Sequence, residues 1–84
     1  MYYFYVIYSK KLDRFYIGAT ADLTDRLRRH NSKHKKGFTG TAQDWEVVYS
    51  EHFASKEAAF AREREVKAWK SRERLARLVQ STPS

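Results

Sequence analysis

The chain has 84 residues, no cysteine, and 17 Lys and Arg against 10 Asp and Glu, which gives a formal net charge of +7 at pH 7. Such a length predicts one domain, and the missing cysteine excludes disulfides and thiolate metal sites. No apolar run approaches the ~20 residues of a membrane span. The positive charge favours a polyanion such as nucleic acid as the partner, and the lack of cysteine fits a reducing cytoplasm. A membrane surface is disfavoured because no predicted helix joins a wide apolar face to a uniformly basic one.

The first segment is apolar, β-branched and aromatic, and it predicts a strand over residues 2–9 and not a signal peptide. A short polar loop at residues 9–14 leads to a second predicted strand over residues 15–19. Because the connecting loop is short, we expect the two strands to pair antiparallel. This pairing would bring Tyr5 and Tyr16 within reach of each other.

A helix is predicted next, from an N-cap at Asp22 to about Lys35. Leu23 and Leu27 have the i, i+4 spacing of a buried stripe. Gly37 is a reasonable stop for this helix. Arg26 and His30 share the row beside the leucines, so both side chains are expected to lean over the edge of the sheet.

The third predicted strand covers residues 45–53, with Trp45, Val47 and Tyr49 alternating onto one face. Ser55 then caps a helix over about residues 56–70, whose inner face carries Ala59, Val66 and Trp69. Glu63 lies near the edge of that inner face.

Ser71 is a candidate start for a third helix that carries Leu75, Leu78 and Val79, and residues 81–84 are expected to fray. The element order is ββαβαα. It predicts a single α+β domain over residues 1–80, in which helices flank a three-stranded antiparallel sheet.

Two tyrosines are candidate catalytic groups, although tyrosine in a strand most often serves packing. A free phenol has a pKa near 10, so Tyr5 or Tyr16 would need nearby cations to act as a base at neutral pH. Arg26 and His30 are the candidates to help. Arg26 would make a bidentate contact to a phosphate, and His30 would hold a tyrosine hydroxyl or shuttle a proton.

The helix that carries Arg26 is strongly basic. The ordinary interpretation of such a run is a solvated face, and the alternative is a phosphate-contacting surface. The candidate nucleic-acid-binding residues on this surface are Arg28, Arg29, Lys33, Lys35 and Lys36.

Glu63 is the best candidate metal ligand, with Glu57 and Glu65 as rivals that spacing alone does not exclude. Arg62 is adjacent in sequence and is a possible ion-pair partner of Glu63. A single carboxylate suits Mg²⁺, which keeps several waters and recruits phosphate oxygens. Zinc prefers more nitrogen or sulfur ligands, and the histidines His30, His34 and His52 lack a zinc spacing.

At these residues the chain resembles the GIY-YIG nuclease superfamily, and specifically its small single-domain members. Tyr16-Ile17-Gly18 is the second half of the signature, and residues 16–31 resemble the strand-to-helix segment with its Arg at Arg26 and its His at His30. Residues 57–70 resemble the helix that bears the metal-binding Glu, which falls on Glu63.

The first half of the signature departs from the family pattern. It is Tyr3-Phe4-Tyr5 here, which keeps the tyrosine and replaces Gly and Ile, and a shifted alignment offers Tyr3 or Tyr8 in place of Tyr5. The polar residue that often follows the metal-binding helix in the family has no clear counterpart in residues 70–84.

The resemblance implies an endonuclease that uses Mg²⁺ or Mn²⁺ held by Glu63, with Tyr5, Tyr16, Arg26 and His30 as catalytic residues. It implies DNA more than RNA as the substrate, cleavage that leaves a 5′ phosphate, and a place in DNA repair. No recognition domain fits in this length, so we expect selection by DNA structure or by a protein partner. The alternative function is that of a non-catalytic nucleic-acid-binding module. A third and less favoured hypothesis is a protein-binding scaffold.

Overall fold

The computed structural model describes residues 1–32 and 42–81. Within these ranges the elements follow the predicted order ββαβαα, and the fold is α+β as expected. The elements are β1 (Tyr2–Ser9), β2 (Arg14–Thr20), α1 (Leu23–His30), β3 (Glu46–Phe53), α2 (Lys56–Ala68) and α3 (Arg72–Gln80).

The three strands form one antiparallel sheet in the order β2-β1-β3. The central strand β1 pairs Tyr5 with Gly18 and Ile7 with Tyr16 on the β2 side. Since side chains alternate between the faces of a sheet, Tyr5 and Tyr16 emerge on the same face. The predicted pairing that brings the two tyrosines together is therefore confirmed.

Each helix begins at the predicted cap, because a side-chain oxygen takes up a backbone N–H that the helix itself leaves unpaired. The Asp22 carboxylate accepts a hydrogen bond from the backbone N–H of Asp25 at 3.0 Å. The Ser55 and Ser71 hydroxyls do the same for the third residue of α2 and of α3, each at 3.2 Å.

Helix α1 ends at His30, earlier than the sequence predicted. Asn31 leaves the helical conformation with φ −90° and ψ 4°. Its amide donates to the carbonyl of Trp45 at 3.0 Å and accepts from the Trp45 N–H at 2.8 Å, which fixes the end of α1 beside the start of β3. Lys35 and Gly37, where the helix was expected to finish, lie outside the described residues.

The boundary between the last two helices also differs from the prediction. Helix α2 ends at Ala68 and not at Lys70, because Lys70 takes a left-handed conformation with φ 49° that an α-helix does not accommodate. Helix α3 then carries Leu75, Leu78 and Val79 against the sheet, as expected.

Two apolar clusters lie on opposite faces of the sheet. The first packs β-strand residues against α2 and α3 around a buried centre formed by Phe4, Val6, Val66 and Leu75. The second lies on the face of the two tyrosines, where Leu23 and Leu27 of α1 cover the buried Tyr5, Ile7 and Trp45. The sheet is therefore a middle layer, with α1 on one side and α2 and α3 on the other.

The expectation that Trp45, Val47 and Tyr49 share one face is wrong. The pairing of β1 with β3 shifts register between Val6, opposite Tyr49, and Ile7, opposite Val47. Such a bulge places one extra residue in β3 and reverses the alternation beyond it. Tyr49 consequently packs with the α2 and α3 cluster, while Trp45 and Val47 pack with Tyr5.

Among the described residues, no helix is long and apolar enough to cross a membrane. The domain limits at 1–80 and the frayed tail at 81–84 stay predictions, and residues 82–84 lie outside the described part of the chain.

Candidate active site

The centre of the candidate site is the Tyr5 phenol, which is only 1% exposed. It lies directly over Gly18 of the neighbouring strand. A methyl group at position 18 would stand 2.5 Å from the Tyr5 hydroxyl oxygen and 2.6 Å from its Cζ, distances that real contacts do not tolerate. Glycine is required at this position because only its lack of a side chain leaves room for the phenol.

His30 connects the two tyrosines. Its Nε2 lies 3.0 Å from the Tyr5 hydroxyl oxygen, and its ring centroid lies 4.7 Å from that of Tyr16. The imidazole is itself buried, at 3% exposure, because the last turn of α1 points it at the sheet. Tyr16 is only partly buried, so its side chain reaches the solvent edge of the same cluster.

Burial and neighbouring polar and charged groups shift the pKa of the Tyr5 phenol. Burial raises the pKa of the Tyr5 phenol well above its ordinary value, and neighbouring Tyr16 and Glu63 raise it further. The Arg26 guanidinium opposes this shift through its positive charge. Groups from β2, α1 and α2 thus each act electrostatically on this phenol of β1.

Glu63 has a different ion-pair partner from the one considered in the sequence. Its carboxylate accepts a hydrogen bond from the Lys67 ammonium at 2.7 Å, and the Glu63 side chain is 18% exposed. Arg62 instead binds Glu51 of β3 and Glu65 of its own helix. Arg62 therefore does not neutralise Glu63.

The rivals of Glu63 are in less suitable places. The Glu65 carboxylate pairs with Arg62 at 3.0 Å and lies on the exposed side of α2. Glu57 is exposed in the first turn of the same helix. Glu63 is the carboxylate of α2 whose charge acts on Tyr5.

The basic residues of α1 divide into two groups. Arg26 is partly buried beside Tyr5, whereas Arg28 and Arg29 are exposed. Both exposed arginines pair with Asp25, at 2.5 Å and 3.1 Å, and the Arg28 contact is the main reason why the pKa of that carboxyl is lowered. The other candidate nucleic-acid-binding residues, Lys33, Lys35 and Lys36, lie outside the described ranges.

Two residues that sequence reasoning did not single out belong to the site. Lys67 contacts the candidate metal ligand, and its i, i+4 spacing from Glu63 was the available signal. Asn31 ends α1 directly after His30 and so fixes where the imidazole lies. No local pattern marks Asn31, because both of its side-chain hydrogen bonds go to Trp45, 14 residues away in sequence.

The donor set around Glu63 limits which metal fits. The described residues contain no group of three or more His, Cys, Asp or Glu side chains that would hold an ion. One carboxylate fits an ion that keeps most of its waters and takes oxygen ligands from a phosphate, as Mg²⁺ and Mn²⁺ do. It does not fit zinc, since His30 is bound to Tyr5 and His52 is exposed on β3.

The chain is similar to known proteins over most of its length. A family model described as the GIY-YIG catalytic domain matches residues 1–76. A UPF0213 protein of Staphylococcus haemolyticus is 31% identical over 74 residues, which is 88% of this chain and 89% of that protein. A UPF0213 protein of Bacillus pumilus is 39% identical over 69 residues, 81% of this chain and 68% of that protein. No solved structure gives a significant match.

Proposed function

The chain belongs to the GIY-YIG family, a nuclease-type family, and from that premise we propose that it is a divalent-metal-dependent endonuclease that hydrolyses DNA phosphodiester bonds. The observation that supports this most is the buried Tyr5 phenol. It lies 3.0 Å from His30 and within the electrostatic reach of Tyr16, Arg26 and Glu63. Such a set combines a proton acceptor, a phosphate-binding cation and a metal ligand around one point.

The two tyrosines have different roles in the proposed reaction. Tyr5 is buried and its pKa is raised, so its phenol stays neutral, and it donates to His30 Nε2 when the imidazole carries its proton on Nδ1. Tyr16 is accessible from the solvent edge, so in its ionised form it takes a proton from the attacking water, while solvent protonates the leaving 3′ oxygen. His30 contacts both rings and orients them.

Arg26 binds the scissile phosphate in this proposal. A guanidinium donates two parallel hydrogen bonds to non-bridging phosphate oxygens, and these strengthen as the pentacovalent transition state gains negative charge. The partly buried position of Arg26 supports this role, because a charge is worth more where water is reduced.

Glu63 would hold the divalent ion, for which Mg²⁺ or Mn²⁺ is the best fit. When bound there, the ion supplies Lewis-acid stabilisation of the phosphate and of the leaving 3′ oxygen. Water attack at phosphorus with loss of the 3′ oxygen leaves a 5′ phosphate on one product and a 3′ hydroxyl on the other. Lys67, which pairs with Glu63 Oε2, would compete with an ion for this carboxylate.

The substrate is proposed to be DNA, chosen by its structure and not by its sequence, with a role in DNA repair in the cytoplasm. The charge of +7 supports binding to a polyanion. The described elements are all part of one small fold that builds the candidate site, so a protein partner is a reasonable source of further target choice.

A cleavage assay tests the proposal. Forked, nicked, branched and single-stranded DNA, with RNA equivalents, are incubated with and without Mg²⁺ or Mn²⁺. We expect metal-dependent cleavage of a branched DNA, and a loss of about 10²–10³ in rate for Arg26→Ala and for Glu63→Gln. Arg77→Ala, which removes an exposed arginine of α3, serves as the control and should cut normally. Cleavage that survives both site variants would show that the activity comes from elsewhere.

A non-catalytic nucleic-acid-binding module is the second candidate. The ion pair between Glu63 and Lys67 favours it, because a carboxylate that is already neutralised is a weaker metal ligand. Salt-sensitive DNA binding without cleavage under either metal would select this candidate over the nuclease.

A further inference from the structure

A groove lies beside the candidate site, where the end of β2, the start of α1 and the first turns of α2 meet. Its volume is about 330 Å³. Its charged and aromatic lining residues are Tyr2, Asp22, Asp25, Arg26, Arg29, Lys56 and Phe60.

The charge available to a ligand in this groove is positive. The groove has three cationic side chains against the two carboxylates of Asp22 and Asp25, and Asp25 also pairs with Arg28 outside the groove. Arg26, Arg29 and Lys56 supply cations from two different helices. A phosphate is the anion that such a spread of cations matches, because its several oxygens accept from more than one donor.

The same groove has aromatic walls. Phe60 and Tyr2 are both partly exposed, and the Lys56 ammonium lies 5.7 Å from the centroid of the Phe60 ring. Aromatic rings interleaved with cations are the elements that bind single-stranded nucleic acid, since bases stack on the rings while the cations track the backbone.

Arg26 joins this groove to the candidate active site. It lines the groove, and its guanidinium also acts on the Tyr5 phenol through its positive charge. A volume of about 330 Å³ is at the lower limit of small-molecule sites, so the groove accepts one nucleotide and not a base pair.

We propose that this groove binds one unpaired nucleotide next to the scissile phosphate, with its base against Phe60 and its phosphate between Arg29 and Lys56. The inference deepens the proposed nuclease function and rests on it. It makes the domain selective for DNA that is single-stranded beside the cleavage point, such as a flap or a fork.

Binding without metal tests the groove separately from catalysis. Fluorescence anisotropy in EDTA compares a labelled duplex that carries a single-stranded overhang with a blunt duplex of the same sequence. We expect the wild-type chain to favour the overhang by about tenfold, the size of one stacked base. Phe60→Leu, which keeps apolar bulk but removes the aromatic ring, should abolish that preference, whereas Phe60→Tyr should retain it.

A second pair of variants tests how much the positive charge of the groove contributes to overhang binding. Lys56→Gln should weaken overhang binding several-fold more than Lys10→Gln, which removes an exposed lysine at the end of β1. If Phe60→Leu and Lys56→Gln lower overhang and blunt binding equally, or lower neither, the groove does not bind the unpaired nucleotide. Absence of cleavage with metal would overturn the nuclease function and leave this binding result standing.

Discussion

Tyr5 has chemistry that follows from its surroundings and not from its residue type. A phenol at the surface exchanges its proton near pH 10, but Tyr5 is buried beside Tyr16 and within reach of the negative charge of Glu63. Burial and these two neighbours outweigh the opposing charge of Arg26, so the pKa of the Tyr5 phenol is raised. Tyr5 is therefore a group that holds its proton, and this property fits a fixed hydrogen-bond donor.

The raised pKa predicts how stability changes in alkali. The folded state holds the Tyr5 proton more tightly than the unfolded chain, whose phenol has a pKa of 10.0. The resulting stabilisation is complete below pH 10 and is lost as pH rises above it toward the folded pKa. The free energy of unfolding, measured by urea denaturation from pH 9 upward, should consequently fall less steeply with pH in Tyr5→Phe than in the wild-type chain.

The control for this measurement is Tyr3→Phe, which removes a phenol from the same strand outside the pair with His30. Tyr8 and Tyr49 also have raised pKa values, but both remain in every variant and contribute equally. If the free energy of unfolding falls with pH equally steeply in Tyr5→Phe and in the wild-type chain, the raised pKa does not belong to Tyr5.

Lys67 competes with any cation for the Glu63 carboxylate. Lys67→Met keeps the apolar stem of the side chain and removes the charge. Since an i, i+4 pair is worth about 0.3–0.5 kcal/mol, we expect Mn²⁺ to bind about twofold more tightly, as measured by isothermal titration calorimetry without DNA. Arg77→Met removes a comparable i, i+4 pair with Glu73 on α3 and should change nothing. Weaker binding in Lys67→Met would show that the lysine supports the ion.

At the scale of the elements, Arg62 fixes how α2 sits on the sheet. Its guanidinium makes two hydrogen bonds of 3.1 Å to the two oxygens of Glu51 on β3, and lies over the rings of Phe4 and Trp69. The Tyr49 hydroxyl donates to the same carboxylate, which the β-bulge makes possible by placing Tyr49 on this face. These contacts set the position of the next residue in the chain, Glu63.

This anchor predicts a stability loss that a conservative change does not avoid. Arg62→Lys keeps the charge but loses the planar fork and the stacking, so we expect unfolding to become easier by about 1–3 kcal/mol. In a domain of this size, each kcal/mol of lost stability lowers the melting temperature by roughly 4–8 °C. Circular dichroism measures the melting temperature of each variant. Arg64→Lys, an exposed position on the same helix, is the control. Equal melting temperatures for the two variants would mean that the fork does not anchor α2.

At the scale of the whole molecule, the positive charge should govern nucleic-acid binding. A phosphate contact releases counterions, so the logarithm of the binding constant falls with the logarithm of salt concentration in proportion to the contacts made. Arg28 and Arg29 are exposed on α1, beside the proposed site.

Arg28→Gln should therefore weaken DNA binding for every sequence and reduce the salt slope by about 1. Filter binding or anisotropy over a salt series measures this slope. Arg77→Gln removes the same charge from α3, outside the proposed interface, and should leave the slope unchanged. A slope that changes equally in both variants would indicate diffuse attraction and no defined surface.

The sequence by itself determined the elements and most members of the candidate site. The capping residues Asp22, Ser55 and Ser71 and the local periodicities act within a few residues, so the order ββαβαα and the helix starts were predictable. The family pattern supplied the choice of Glu63 over its rivals.

Only the tertiary structure decided which tyrosine is buried, where α1 ends, and how β3 turns at its bulge. It also decided which cations pair with Glu51 and with Glu63. These outcomes depend on packing and hydrogen bonding between elements that are distant in the chain. The spacing of residues along the sequence does not reveal how far apart such elements lie in the folded structure.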